Sequence, residues 1–173
     1  MKKKLLLTAF GLCSALLLNL PTYAAQTQDS ENVERTLIDP NGKVISETLY
    51  NTPDEEIDDT VYTVPSSNPL NRSLYLFSIG LAPYNSYREL RATSESNVAI
   101  DRIIVSCTAY YTDGVRVGSK SSMTPTGWTT RADYASVKVA NTAFIKTIGS
   151  GNSSHTFRDK GVDRLYRTKA WKK

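Results

Sequence analysis

The chain has 173 residues, a formal net charge of +4, 40% hydrophobic residues, two cysteines and one histidine. One of those cysteines, Cys13, lies in the leader described next, and the one Cys and one His that remain are too few for a zinc site, which takes three or four ligands. Read in chain order, the sequence divides into an export signal, an acidic arm and a basic body.

Residues 1–24 read as a secretory signal peptide. Lys2, Lys3 and Lys4 form a basic start, Leu5 to Leu20 an apolar stretch, Pro21 ends it, and small residues follow at Thr22 and Ala24. Cleavage is expected near Ala24 or Ala25, which gives a secreted, extracellular product. The run is short and ends in helix-breaking and small residues, against a membrane anchor. Leu12 stands before Cys13, where lipoprotein processing wants a small residue. Loss of the signal removes Cys13 and three lysines, leaving a net charge of +1. This near-neutrality hides an asymmetry. Residues 25–69 hold ten acids against Arg35 and Lys43, net −8, whereas residues 70–173 hold sixteen Lys and Arg against seven acids, net +9. Such asymmetry bears on partners, not on fold.

The arm, 25–69, is expected to be flexible and largely disordered. Its "YNTPDEEIDDTVYTVPSSNPLN" is acidic, holds three prolines and has no sustained apolar period. One exception is "TLIDPNGKVISET", residues 36–48, where Asn41-Gly42 sits between two β-prone runs. Asn-Gly tolerates the positive φ of a tight turn, so a hairpin is expected there, one that needs the body to dock on.

From Leu70 onward, β-branched and aromatic runs alternate with turn signals. Strands are expected over Leu74–Ile79, Tyr87–Ser94, Ile100–Tyr111, Val115–Ser121, Ala132–Ala140, Phe144–Ile148 and Leu165–Ala170, with a short one at His155–Arg158. The expected breaks are "GLAPYNS", "SESN", "TDG", "TPTGW", "GSGNSS" and "DKG". This spacing over residues 70–173 predicts an all-β fold, an antiparallel β-sandwich of seven or eight strands, immunoglobulin-like or jelly-roll-like. One core of that size supports itself without metal or disulfide.

In "IIVSCTAYYTDG", alternation places Ile103, Val105, Cys107, Ala109 and Tyr111 on one face. Cys107 then has apolar neighbours on the core side, where burial suppresses the thiolate and the residue acts as a small hydrophobe. It is the only cysteine after the signal, so an internal disulfide is excluded.

Catalytic patterns are incomplete. A secreted β-protein with one Cys, one His and several Arg invites comparison with sortases, but His155 follows Cys107 here, the reverse of their order, and "IIVSC" replaces their Thr-Leu-x-Thr-Cys. A serine hydrolase would depend on His155, yet no Gly-x-Ser-x-Gly elbow is present. "DEEIDD" lacks the spacing and turn glycine of a calcium loop. No Gly-rich phosphate cradle joins a strand to a helix, so neither nucleotide nor any other cofactor is expected.

The positive signal is "FRDKGVDRLYRTKAWKK". From Arg158 to Lys173 it carries seven basic residues against Asp159 and Asp163. The candidate binding residues are Arg158, Lys160, Arg164, Tyr166, Arg167, Lys169 and Trp171. In the expected register Tyr166, Thr168 and Ala170 face inward and Arg167, Lys169 and Trp171 face outward; Leu165 fits it poorly, so a bulge or a frayed start is needed there. A cationic, aromatic edge suits an anionic wall polymer or membrane surface, and export argues against nucleic acid. Basic residues on an edge strand also serve to block aggregation.

The stretches "RATSESNVAIDRIIVSCTAYYTDG" and "SSHTFRDKG" resemble small secreted proteins of Gram-positive bacteria in which a signal peptide and variable linker precede a β-sandwich. The resemblance implies no activity and no site residues. The expected role is a secreted, non-enzymatic protein binding at or near the cell envelope. The alternatives are a bacteriocin-like antagonist whose basic surface the acidic arm masks, and, last, a Cys- or His-dependent hydrolase.

Overall fold

A computed structural model describes residues 32–50, 53–55, 59–65, 74–140 and 146–173. The signal peptide and the strand expected from Phe144 fall outside these, apart from the latter's last residues. Ten strands are described: β1 (Asn32–Ile38), β2 (Val44–Tyr50), β3 (Thr60–Pro65), β4 (Leu74–Tyr84), β5 (Glu89–Ile100), β6 (Arg102–Tyr111), β7 (Arg116–Met123), β8 (Thr129–Lys138), β9 (Ile148–Asp159) and β10 (Val162–Lys172). All pair antiparallel in two sheets, β2-β1-β8-β5-β4-β3 and β10-β9-β6-β7. The fold is the expected two-layer sandwich. Taken alone, β4 to β10 place the second strand between the first and fifth in one sheet, and the third between the fourth and sixth, with the seventh outside the sixth, in the other. That is an immunoglobulin-like order rather than a jelly roll.

The arm carries a hairpin where one is expected and departs from the expected disorder at β3. The hairpin is present as β1–β2, turning at Gly42 with φ 82°, and it docks by pairing β1 with Thr129–Ala132 of β8. Arg35 Nε lies 3.1 Å from Asp133 Oδ1, held by charge rather than hydrogen-bond alignment, while Arg35 Nη2 donates to Ser122 Oγ at 3.2 Å. β3 then pairs along β4. Acidic composition does not prevent a segment from ordering when a neighbouring sheet edge supplies ladder partners.

Two expected breaks are continuous strand. At "SESN", Asn97 accepts from Leu76 N (2.9 Å) and donates to Leu74 O (3.1 Å), extending the β4–β5 contact through a side chain. At "GSGNSS", glycine serves close approach rather than turning. A Cβ on Gly151 would lie 2.1 Å from Leu90 Cδ2 and 2.6 Å from Thr108 O, and one on Gly149 would lie 2.7 Å from Thr112 Cα. The same composition that signals a loop here lets β9 run between β6 and β10.

The core has two apolar clusters. One gathers Leu81, Leu90, Val105, Cys107, Val137 and Ile148. The other gathers Phe77, Ile79, Ile100, Ile103, Phe157 and Leu165, with Phe77 and Phe157 stacked at 4.4 Å between centroids. The alternation in β6 is as expected through Ala109, since Ile103, Val105, Cys107 and Ala109 are fully buried.

Candidate functional site

The basic strand β10 forms one edge of the four-stranded sheet. Its register is the reverse of expectation. A bulge is present at Arg164, ahead of Leu165, so Leu165 itself opens the inward set and the residues after it alternate from there. Leu165, Arg167, Lys169 and Trp171 stand opposite Phe157, His155, Ser153 and Gly151, the inward residues of β9. Tyr166 is 58% exposed, and Thr168 and Ala170 also face out.

The seven candidate residues therefore form a strip instead of a single patch. Lys160 lies in the β9–β10 turn, with φ 52° beside Gly161 at 72°. Arg158 donates to Gly161 O at 2.9 Å and lies 3.6 Å from Asp163. Arg164 sits 5.9 Å over the Tyr75 ring. Further along, Arg167 lies 5.0 Å over Tyr62, and Lys169 donates to Thr60 Oγ1 at 3.3 Å. At ~3.3 Å per residue, Arg164 and Trp171 are separated by roughly 23 Å. The second half of the strip faces β3, which belongs to the acidic arm.

The strip ends in a corner that no sequence pattern indicates. Trp171 Nε1 donates to Glu55 Oε2 at 2.8 Å, and the Tyr87 hydroxyl donates to Glu55 Oε1. The Tyr87 and Trp171 rings stack at 5.5 Å, and Lys173 Nζ lies 5.0 Å from the Tyr87 ring. Tyr87 N donates to Asp54 Oδ2 at 3.0 Å, and Asp54 N donates to Pro83 O at 3.0 Å. The hydrogen bonds from Tyr87 and Trp171 hold the Glu55 carboxyl below its ordinary range, and the bond to Glu55 pushes the Tyr87 phenol up.

The β4–β5 loop that carries Tyr87 is strained. Asn85, Ser86 and Tyr87 have φ of 53°, 48° and 68°. None is glycine, and each such residue costs of order 1–2 kcal/mol. The carboxylates of Asp54 and Glu55, the Trp171 ring and the bond from Ile148 N to Tyr87 O (2.8 Å) hold Tyr87 there. A signal exists in "PYNSY", whose Asn-Ser tolerates left-handed geometry, but no local rule names Glu55 as the partner.

The two residues with catalytic potential lie elsewhere. Cys107 is fully buried and burial pushes its thiol up to about 12; its Sγ lies 3.5 Å from Leu90 O. His155 is also fully buried, with Nδ1 2.8 Å from Ser94 Oγ and Nε2 2.7 Å from Ser153 Oγ. Burial, then the charge of Lys169, lowers it to about 4. A neutral imidazole donates through one nitrogen and accepts through the other, so one serine accepts and the other donates. Among the described residues, no group of three or more His, Cys, Asp or Glu is placed to hold a metal ion. No protein-family model, curated protein or solved structure matches the chain.

Proposed function

We propose that this is an exported, non-enzymatic protein that binds an anionic polymer or membrane surface at the cell envelope along β10. The observation that carries the reading is the Glu55 carboxylate at the Trp171 corner. There the end of the basic strip already receives an anion from the protein's own acidic arm. Charged contacts of this kind are strengthened where indole and phenol groups donate and an ammonium stands nearby. The burial of Cys107 and His155 supports a non-enzymatic reading, because neither has solvent-facing surface.

The same contact favours a second reading, a secreted antagonist whose basic surface is masked by the arm. The test is salt-dependent co-sedimentation with purified cell walls and with anionic vesicles, using the native chain and an Asp54→Asn/Glu55→Gln variant. Envelope binding predicts retention at low ionic strength that fades as salt rises. Masking predicts at least tenfold tighter binding by the variant. No retention of either protein at low salt would remove the envelope reading, and equal retention of both would remove masking.

A further inference from the structure

On the opposite edge of the sandwich from β10, the two sheets meet at the seam between β7 and β8. β1 pairs with β8 only over Thr129–Ala132, so the rest of β8 has β5 as its described sheet neighbour. Alternation in β5 and β8 sends Leu90, Ala92, Ala135 and Val137 to the core. It sends Glu89, Arg91, Tyr134, Ser136 and Lys138 to the other face, where solvent would be expected. Yet Glu89 and Arg91 are 1% and 2% exposed. They border a cleft of about 300 Å³ that Lys120, Tyr134, Ser136 and Lys138 also line.

The two buried charges are unequally satisfied. Glu89 Oε1 accepts from Arg91 Nη2 (2.9 Å) and Ser136 Oγ (2.5 Å). Its Oε2 accepts from Asn85 Nδ2 (3.0 Å) and lies 3.6 Å from Lys138 Nζ. Burial works against the Glu89 charge, but these donors and cations outweigh it and lower its pKa. Both its oxygens are engaged. Among the described residues, Arg91 hydrogen-bonds through Nη2 alone, and its buried Nε and Nη1 have no acceptor. The guanidinium lies 4.1 Å over the Tyr84 ring. Tyr84's hydroxyl feels the Arg91 charge but makes no hydrogen bond of good geometry. Stacking compensates the cation in part and leaves its N–H groups unmatched.

The cleft lining sets three cations against one saturated carboxylate, which favours an anion even with the Asp59 charge near the Tyr84 hydroxyl. A guanidinium with free N–H groups matches the two oxygens of a carboxylate or phosphate. The volume is at the low end for small-molecule sites, which suits one compact group rather than a polymer segment. We propose that the β7–β8 cleft binds a small oxyanion, carboxylate or phosphate, with Arg91 as its fork and Lys120 and Lys138 as flanking cations. This site is separate from β10 and stands whether or not the envelope reading does.

The test follows the Arg91 side-chain Nε–H in ¹H–¹⁵N NMR spectra of the secreted chain, titrated separately with inorganic phosphate, D-glucuronate and neutral glucose. A saturable shift of that resonance and of the Ser136 amide is expected with at least one anion. Phosphate alone or glucuronate alone would identify the oxyanion class. A Lys120→Gln/Lys138→Gln variant changes side chains outside the core, so it should keep the native spectrum and weaken binding at least tenfold. An unmoved Arg91 Nε–H, equal affinity in the variant, or an equal response to glucose would overturn the proposal.

Discussion

Inside the sandwich, Cys107 and His155 are surrounded by packed side chains and are held neutral; at the Trp171 corner, Glu55 is half-buried and held charged. Inside, desolvation is the largest influence on both groups, raising the thiol to about 12 and lowering the imidazole to about 4. At the corner, hydrogen bonds from Tyr87 and Trp171 dominate and favour the ionised carboxyl. Position decides the outcome. The residue types with the greatest catalytic potential lie where their chemistry is suppressed, whereas ordinary aromatic and acidic side chains form the contact that handles charge.

The contrast can be broken from the inside first. Phe157→Ala removes one ring of the fully buried Phe77–Phe157 stack, and a loss of about 4 kcal/mol is expected in denaturant unfolding. A loss below about 1 kcal/mol would mean that the second cluster is not tightly packed.

Next comes acid. The His155 pKa is lowered on folding, so its contribution is complete above the unfolded value of about 6.5 and is lost as pH falls toward 4. Each tenfold change in proton affinity is worth about 1.4 kcal/mol, so roughly 3 kcal/mol should disappear over that window. A comparison of unfolding curves at pH 7 and pH 4 checks this. His155→Gln, which keeps hydrogen-bonding capacity toward Ser94 and Ser153, should flatten that part of the pH dependence.

The smallest effect belongs to the corner. Glu55→Gln should leave global unfolding nearly unchanged while shifting Trp171 fluorescence, because the indole loses a charged acceptor. An unchanged emission spectrum would place Glu55 away from the indole in solution. The corner would then no longer differ from any other exposed end of a strand.

Much of the fold is legible because β-structure announces itself locally. The alternation Ile103, Val105, Cys107, Ala109 needs only a period of two. Asn41-Gly42 marks its own turn. What the sequence obscures depends on partners distant along the chain. β1 and β3 lack the apolar surface to order alone, and become strands because β8 and β4 offer free edges. The first half of β9 reads as a loop until Leu90 and Thr108 show why its glycine at 151 excludes a side chain. In β10 a bulge or frayed start is expected to set Leu165 apart, but Leu165 is the first inward residue, and every face assigned after it is turned around. Of the candidate site, the basic residues are visible as a charge run. The acid that meets them lies more than a hundred positions upstream, beyond any local rule.

The loop Asn85–Arg88 touches both charge-handling places. Tyr87 holds Glu55 at the corner, and two positions earlier Asn85 Nδ2 reaches Glu89 at the rim of the β7–β8 cleft. Its three consecutive residues Asn85, Ser86 and Tyr87 all stand at positive φ. One four-residue turn thus donates to two carboxylates: Glu55 from the acidic arm, and Glu89, which also accepts from Arg91. The strain in that turn and the placement of both acids are settled by the same few backbone angles.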